Sequence, residues 1–568
     1  MSSPERVFET VHEPFRATVV IVLYRMAPTE SPAYRTVIEA RERSQVERGD
    51  IRVVLWDNSP MPRHAEELPE GVSYFADESN SGLANAYNRA LEIATSHNST
   101  WLVTLDQDTA LPLDYFARMA SAAQDCTQYA GIGAIVPQIE ADGKSLSPNY
   151  FLFGAIPRWY RRGYQGVPRG RVFAFNSASM LSISALQQIG GYDPRFWLDN
   201  SDANIFSGLH QHGKRVYIAG DIQVQHEFSM KNMGQRMSPN RYRNALLAES
   251  AFWDLRMNRL AGWERTLRLA LRMIKHRLRH DSLELRLITR EALHRRLFMS
   301  KQKRLAEWEQ QTKESLGDRL ESSKFEAQRV KVSACMAAYD GGKYIDEQME
   351  SILSQLHDSD EVVIVDDCSK DDTVARIAGF NDQRVRLFKH RKNAGVVATF
   401  EDALCCATGD ILFLCDDDDV WAPTKVERFI ELFHARPDVE IVTSRVSLID
   451  EEGREFSNAR LNRGGKFMPG FWQNVFKNHY QGSAMALRAS FLGRVLPFPR
   501  RKSFLHDAWI GTRNEILGGK VAFIDEDLLF YRRHSSNVSR TKSLPGQIRT
   551  RIELLAAHIF YALHLTTL

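Results

Sequence analysis

An internal repeat sets the strongest limit on the fold of this chain, because four kinds of segment occur in the same order in both halves. Each series has an apolar strand-like run, an apolar run ending in an acid, an Asn-x-Gly turn that enters a helix-like pattern, and an apolar run ending in Asp-x-Asp. The two series read ATVVIVLY, VVLWDNS, NSGLANAYNRAL, WLVTLDQD and VKVSACMAAY, VVIVDDCS, NAGVVATFEDAL, ILFLCDDD. The interval is 49 positions from Asp57 to Asp106 and 50 from Asp366 to Asp416. A period this long predicts a duplicated domain rather than a solenoid.

Apolar strands that alternate with helical patterns predict a mostly parallel α/β sheet in each copy. We divide the chain into a first α/β domain at 1–237, a helical connector at 238–328, a second α/β domain at 329–540 and a C-terminal amphipathic helix at 541–568. Open sheets of this kind bind ligands beyond the carboxyl ends of their strands. The acids that end the repeated strands are therefore expected on a ligand-binding rim.

Composition narrows the class of protein. With 568 residues, 43% hydrophobic content and a net charge of +3, the chain is typical of a globular protein and too weakly basic to indicate a nucleic-acid partner. Its six cysteines include no C-x-x-C pair, which favours a reducing compartment such as the cytoplasm. No signal peptide is recognisable, and no apolar run approaches the ~20 residues of a membrane-spanning helix. Any membrane contact is expected to be peripheral.

Carboxylates are crowded where the last repeated strand of each series ends. The second series has four consecutive acids at 416–419, and the first has Asp106 and Asp108. Like charges this close repel one another unless solvent or a cation takes up the charge. Asp-x-Asp at a strand end suits Mg²⁺ or Mn²⁺, which bind oxygen ligands and share them with substrate phosphates. A solvated acidic turn is the alternative.

Further motifs follow the Asp-x-Asp pairs in a fixed order. LDQDT is followed by GGYDPRFWLDNSDANIF in the first half, and LCDDDDVWAPTK is followed by LHDAW and YRRHSSN in the second. Together these motifs resemble the family 2 inverting glycosyltransferases of GT-A fold, and more narrowly the bacterial rhamnosyltransferases. The resemblance covers most of both repeats and implies two tandem GT-A domains.

The resemblance implies a nucleotide-sugar site with a divalent cation, Mg²⁺ or Mn²⁺, in each half. The donor-binding residues would be Asp57, Asp106, Asp366, Asp367, Asp416 and Asp417. The metal ligands would be Asp106, Asp108 and His226 in the first half and Asp416, Asp418 and His534 in the second. Asp417 stands where the family commonly has Gln. Strand-end capping is the alternative role for Asp57 and Asp366.

The resemblance also implies one general base in each half, Asp202 and Asp507. A base of this kind removes the proton of an acceptor hydroxyl as its oxygen attacks, in a single displacement that needs no protein nucleophile. Asn200 and Asn204 stand where acidic or aromatic neighbours are common in the family. Asp199 is therefore an alternative base in the first half.

The activity implied by the resemblance is transfer of a sugar, most plausibly L-rhamnose from dTDP-L-rhamnose, to a bacterial surface polysaccharide such as O-antigen, capsule or lipopolysaccharide. The acceptor would be a lipid-linked or core oligosaccharide at the cytoplasmic face of the inner membrane. Two complete motif sets predict a bifunctional enzyme. One active half with a binding half, a different sugar nucleotide, and a non-catalytic glycan-binding scaffold are the alternatives.

The connector contains an amphipathic helical pattern. Its apolar positions recur at steps of three or four, and its basic positions lie largely off that face. The apolar positions are Leu260, Trp263, Leu267, Leu271, Ile274 and Leu278. Such a helix either lies on an anionic membrane surface or packs its leucines on one of the domains.

Overall fold

The structure is a computed structural model that describes most of the chain. The described residues are 15–44, 50–62, 68–141, 143–152, 156–226, 238–256, 259–278, 282–317, 330–460, 467–499, 506–534 and 544–565.

The first half forms a large sheet with a separate two-stranded hairpin. Its strands are β1 (Ala17–Leu23), β2 (Ile51–Asp57), β3 (Val72–Ala76), β4 (Trp101–Asp106), β5 (Thr109–Ala110), β6 (Ile132–Ala141), β7 (Lys144–Ser147), β8 (Asn149–Leu152), β9 (Ile156–Trp159), β10 (Gln165–Gly166), β11 (Ser179–Ser182) and β12 (Arg215–His226). The large sheet runs in the order β3-β2-β1-β4-β11-β6-β12-β10, with β5 paired to β12 and β7 to β6. The hairpin is β8 with β9.

Helices cover both faces of this sheet and then form the connector. They are α1 (Pro32–Arg43), α2 (Leu83–Ser96), α3 (Tyr115–Cys126), α4 (Ile183–Gln188), α5 (Ser201–Gln211), α6 (Pro239–Arg256), α7 (Arg259–Leu278), α8 (Leu283–Phe298) and α9 (Lys301–Leu316). Successive residues of β1 enter different cores, with Val20 and Val22 packing with α2 and Val19 and Ile21 packing with α1 and α3. Strands covered on both sides read as continuous apolar runs, which explains why ATVVIVL shows no alternation.

The second half repeats this arrangement. Its strands are β13 (Val332–Ala338), β14 (Glu361–Asp366), β15 (Val385–Lys389), β16 (Ile411–Asp416), β17 (Val420–Trp421), β18 (Val439–Ile449), β19 (Glu455–Arg460), β20 (Met485–Arg488) and β21 (Lys520–Arg532). Its helices are α10 (Ile345–Leu353), α11 (Thr373–Gly379), α12 (Val396–Cys406), α13 (Lys425–Ala435), α14 (Phe471–Phe476), α15 (Leu492–Val495), α16 (His506–Ile516) and α17 (Leu544–Leu565).

The sheet of the second half runs in the order β15-β14-β13-β16-β20-β18-β21-β17. The seven strands from β15 to β21 have their counterparts in the same order from β3 to β12, and β17 corresponds to β5. The strands β11 and β20 run antiparallel to β4 and β16. The predicted α/β fold with two mostly parallel sheets is confirmed. Because β2, β4, β14 and β16 end on the same side as β1 and β13, the repeated acids lie on one rim in each half.

The two halves contact each other through buried groups. Lys214, between α5 and β12, donates from Nζ to the carbonyl oxygens of Cys405 (3.1 Å) and Ala407 (2.5 Å) at the end of α12. Gln188 donates to the carbonyl of Gly409 at 2.6 Å. Burial lowers the pKa of Lys214 to about 8. A shared, desolvated contact of this kind fixes α12 of the second half against the first.

The connector and the last helix pack on the domains that precede them. Phe252 and Trp253 of α6 join the core of the first half, and buried Asp254 pairs with Arg296 (3.0 Å) and Arg304 (2.8 Å). The helix α17 packs its Leu554, Ala557 and Tyr561 into the core of the second half. The boundaries after 237, 328 and 540 fall at or within segments outside the described residues, so the domain division stays a prediction. None of the described helices is both long and apolar enough to cross a membrane.

Candidate functional site: two acidic rims

The acid that ends the second strand of each sheet is buried and hydrogen-bonded. Asp57 accepts from the Tyr74 hydroxyl at 2.6 Å and from the Ser59 amide at 2.9 Å. Asp366 accepts from the Ser369 amide at 3.1 Å and from the Ser369 hydroxyl. The predicted donor-binding acids therefore occupy corresponding positions in the two sheets. Both also cap the end of a strand, which is the alternative role that the sequence left open.

Asp367 has a different environment from Asp366. Its carboxylate accepts from the backbone amides of Ala394 (2.7 Å) and Gly395 (2.8 Å) and pairs with His390 Nδ1 at 2.8 Å. These donors belong to the Asn-x-Gly turn that enters α12 and to the residue after β15. A nucleotide would have to share Asp367 with three protein donors, and its predicted donor contact stays a prediction.

In the first half another residue holds the same turn. Asp77, which follows β3, accepts from the amides of Ser79 (3.2 Å) and Ser81 (3.0 Å). Asn58, at the place of Asp367, accepts instead from the Trp56 indole at 3.1 Å. Backbone hydrogen bonds show that Asp77 corresponds to His390. The Asp77 amide donates to the Asp57 carbonyl at 2.7 Å, and the His390 amide donates to the Asp366 carbonyl at 2.8 Å.

The second rim gathers three carboxylates. Oxygen atoms of Asp416, Asp418 and Asp419 lie within 4.8 Å of one another, which is close enough for one cation to contact all three. Burial and the charge of Asp418 raise the pKa of Asp416 to about 7. Hard oxygen ligands in this number fit Mg²⁺ or Mn²⁺. Asp419 was not predicted as a ligand, because nothing in a run of four acids tells which side chains turn inward.

The neighbours of this cluster are fixed by the protein. Asp418 pairs with His534 Nε2 at 2.7 Å, which brings two predicted ligands together. Asp417 turns away and accepts from the Tyr339 amide at 2.8 Å. Gln107 of the first half accepts from the Tyr24 amide at 2.7 Å, so the substitution of Gln by Asp preserves this contact. The predicted donor contact of Asp417 stays a prediction.

The first rim has fewer acids. Asp106 ends β4 and Asp108 follows it. Burial and the charges of Asp108 and Asp202 raise the pKa of Asp106 to about 7. Thr109 stands where the second rim has Asp419 and hydrogen-bonds the Ser177 hydroxyl at 2.6 Å. Within the described residues the three-carboxylate cluster therefore belongs to the second half alone.

Strand register shows that the two predicted histidine ligands, His226 and His534, do not occupy corresponding positions in the two halves. Gln225 lies opposite Ala110 and Phe530 lies opposite Val420, so these two pairs correspond. By the same count His226 matches Tyr531, and His534 comes three positions later. The side chain of His226 lies outside the described residues, so its metal contact stays a prediction.

The predicted bases lie in the first turn of corresponding helices. Asp202 is the second residue of α5 and Asp507 is the second residue of α16. The charge of Asp202 raises the pKa of Asp106, and the charge of Asp507 raises the pKa of Asp416. Burial raises the pKa of Asp202 to about 6. Asn478 donates to Asp507 at 3.2 Å.

The alternative base in the first half is engaged elsewhere. Asp199 forms an ion pair with Arg241 of α6 at 3.2 Å. This contact binds Asp199 to the connector and favours Asp202 as the residue facing the rim.

Comparison with known proteins gives a family match in both halves. A model of glycosyl transferase family 2 matches residues 18–190 and 333–496, which together make up more than half of the chain. An uncharacterised glycosyltransferase of Nostoc is 28% identical over 243 residues, covering 40% of this chain and 74% of that protein. The succinoglycan biosynthesis protein ExoO of Rhizobium meliloti is 34% identical over 135 residues, covering 23% of this chain and 38% of that protein.

Solved structures give more distant matches. Staphylococcus aureus TarS in complex with UDP-GlcNAc is 17% identical, with a TM-score of 0.33, over 40% of this chain and 66% of that one. A mannosyltransferase of Pyrobaculum calidifontis in complex with GDP-Man and Mn²⁺ is 17% identical, with a TM-score of 0.29, over 41% of this chain and 76% of that one.

Proposed function

The chain belongs to glycosyl transferase family 2, and we propose that each of its halves transfers a sugar from a nucleotide donor with inversion at the sugar carbon. The observation that carries this proposal is repeated in both halves: a carboxylate in the first turn of a helix acts electrostatically on an acid of the Asp-x-Asp pair. Proton acceptor and donor-binding acids are thus adjacent but belong to separate parts of the chain.

In the proposed reaction Asp507, or Asp202 in the first half, accepts the proton of an acceptor hydroxyl while its oxygen attacks the anomeric carbon. The bond from that carbon to the nucleoside diphosphate breaks in the same step, so the configuration inverts. Asp416, Asp418 and Asp419 would hold a divalent cation in the second half, and Asp106 and Asp108 in the first. Such a cation, when bound, neutralises the charge that develops on the leaving diphosphate.

The donor we propose is dTDP-L-rhamnose, and the product is a bacterial surface polysaccharide such as O-antigen, capsule or lipopolysaccharide. The motif resemblance supports the donor, and the similarity to a succinoglycan biosynthesis protein supports polysaccharide synthesis. The acceptor would be a lipid-linked or core oligosaccharide at the cytoplasmic face of the inner membrane, where the enzyme would act as a peripheral protein.

Two sites in one chain suggest two successive linkages, because a tethered second site meets the product of the first at a raised effective concentration. A specific observation favours a second candidate, in which only one half is active. The second rim has three carboxylates within reach of one cation, and the described part of the first rim has two.

Single-base variants test the proposal. The purified chain, Asp202→Asn and Asp507→Asn are incubated with a panel of sugar nucleotides and an acceptor oligosaccharide, with and without Mg²⁺ or Mn²⁺. Each substitution should lower the rate of its own linkage by about 10²-fold or more, since the proton acceptor is lost while the donor site stays intact. Mass spectrometry should show a different truncated product for each variant.

The outcomes separate the candidates. If only one half is active, one variant should make the full product and the other none, whereas identical products from both variants would count against two distinct activities. Transfer that is unaffected by a chelator would contradict the metal role. Retained configuration in the product would contradict the single displacement.

A further inference from the structure

Among the described residues, five of the six apolar positions that the sequence places on one face of α7 are exposed, and the side chain of Leu260 lies outside the described residues. Trp263, Leu267, Leu271, Ile274 and Leu278 are between 52% and 75% exposed. We call these five side chains the α7 stripe. Their spacing of four, four, three and four residues places them along one side of the helix. The alternative in which the leucines pack on a domain is therefore wrong for these positions.

The opposite side of α7 fixes the helix to the rest of the protein. Leu269 is buried with Leu246 of α6 and Ile288 of α8, and Arg265 is buried beside Glu249, with which it forms an ion pair. The stripe is thus the outward face of a helix that is held firmly by its inward face.

The charges beside the stripe are basic. Lys275 and Arg277 are exposed, and at about 100° per residue they lie on opposite flanks of the stripe. The one acid of α7, Glu264, forms an ion pair with Arg268. An apolar stripe with a cation on each flank is complementary to a surface that has an anionic outer layer and an apolar interior.

We propose that α7 docks on a membrane surface that contains anionic lipid. The stripe enters the boundary between headgroups and acyl chains, while Lys275 and Arg277 remain at the level of the phosphates. Trp263 suits this depth, because its ring combines an apolar body with one polar N–H. The neighbouring helix α8 also exposes apolar side chains, at Leu283, Leu287, Leu297 and Phe298.

The flanking charges favour a lipid surface over a second copy of the chain. A two-fold contact between two stripes would bring the same cations of both copies to one interface, where like charges repel. Anionic headgroups instead neutralise both flanks. Docking would bring the chain to the surface that holds a lipid-linked acceptor; that consequence rests on the proposed function, whereas the docking itself does not.

Vesicle sedimentation of the full chain tests the proposal. The vesicles contain phosphatidylcholine alone or with roughly one third phosphatidylglycerol, and neither donor nor acceptor is present, so transferase activity does not enter the result. The chain should sediment with the anionic vesicles. Leu267→Glu with Leu271→Glu should weaken binding by about tenfold or more, because two carboxylates would enter the interface. Lys275→Glu with Arg277→Glu should lower the ratio of the affinity for anionic vesicles to that for neutral vesicles by about tenfold.

A matched variant controls for apolar exposure in general. Trp472 and Phe476 of α14 are also more than 60% exposed, in the second half. Trp472→Ser with Phe476→Ser should bind vesicles as the unaltered chain does, and thermal unfolding checks that each variant is folded. No sedimentation of the unaltered chain, or equal binding by the Leu267→Glu, Leu271→Glu variant, would overturn the proposal. A dimer in light scattering that this variant converts to monomer would assign the stripe to a second copy and would also overturn it.

Discussion

The two rims share one backbone plan but differ in buried charge. The second rim has Asp419, and buried Lys425 lies at the start of the following helix with its Nζ donating to the Ser483 carbonyl at 2.6 Å. At the corresponding places the first rim has Thr109 and Tyr115, whose hydroxyl donates to the Ala178 carbonyl at 2.8 Å. An added buried carboxyl group is thus accompanied by an added buried amine. The comparison shows that Asp419 can be a metal ligand, a partner for Lys425, or both.

The two rims also differ in the residues that hold the Asn-x-Gly turn next to the predicted donor-binding acids. In the first half Asp77 holds the Asn-x-Gly turn through backbone amides, and Asn85 of α2 donates to the Ser81 hydroxyl. In the second half Asp367 holds it, His390 joins Asp367 to Asp402 of α12 at 2.8 and 3.2 Å, and Arg215 of the first half faces Asp402 at 3.6 Å. The second site is therefore supported by the first half, whereas the first site is supported by its own domain.

The largest effect is expected from removing the extra acid. Asp419→Thr should weaken Mn²⁺ binding by the second half by about 10- to 100-fold, because an oxygen ligand or its close support is lost. Calorimetric titration of a chain in which Asp106 and Asp108 are both Asn isolates that half.

The double variant Asp419→Thr with Lys425→Tyr separates the two roles of Asp419. It gives the second rim the Thr and Tyr that the first rim has at Thr109 and Tyr115. It also removes the Lys425 amine, which Asp419→Thr alone would leave without its carboxylate. If Asp419 only balances Lys425, Asp419→Thr alone should lower the melting temperature, the double variant should restore it, and Mn²⁺ affinity should stay unchanged throughout. That result would contradict a metal role for Asp419.

The next effect concerns the pH at which the first half works. Because burial raises the pKa of Asp202 to about 6, this base is protonated below that pH and cannot accept the hydroxyl proton. With Asp507→Asn silencing the second half and saturating metal present, kcat/KM should rise about tenfold per pH unit up to about pH 6 and then level off. A profile that is flat down to pH 5 would show that Asp202 is not the base.

The sequence was sufficient for the fold and for the acids that end strands. Apolar runs, the turn residues and the repeat order depend on local pattern, so β2, β4, β14 and β16 and their terminal acids were placed correctly. The partners of those acids depend on contacts between distant residues. The pairing of Asp367 with His390 and of Asp417 with the Tyr339 amide could not be read from spacing.

Register and exposure set two further limits on sequence reasoning. Irregular pairing in β12 and β21 makes chain distance a poor guide to which histidine matches which, and His226 falls three positions from the place of His534. Periodicity showed that the residues of the α7 stripe share a face, but not that the face is exposed. Which surface covers a helix is decided by the packing of other elements, here α6 and α8.

The smallest expected effect tests the link between the halves. Arg215→Met removes the cation that faces Asp402 and loosens the chain of contacts from Asp402 through His390 to Asp367. The second half should bind nucleoside diphosphate about three- to tenfold more weakly, within the range of effects of residues that position ligands, while its kcat at saturating donor changes little. Arg215→Lys should recover part of the affinity.

Arg89→Met is the matched control for this link, because Arg89 occupies in α2 the place of Asp402 in α12 and pairs with the half-exposed Glu92 of its own helix. It should leave nucleotide binding by both halves unchanged. Equal affinity in Arg215→Met and the unaltered chain would show that the second site is held by its own domain, as the first is. Failure of the unaltered chain to bind any nucleoside diphosphate would instead count against the transferase assignment of that half. A loss confined to Arg215→Met would mean that the duplicated domains are no longer independent, since a residue of one half then sets the donor affinity of the other.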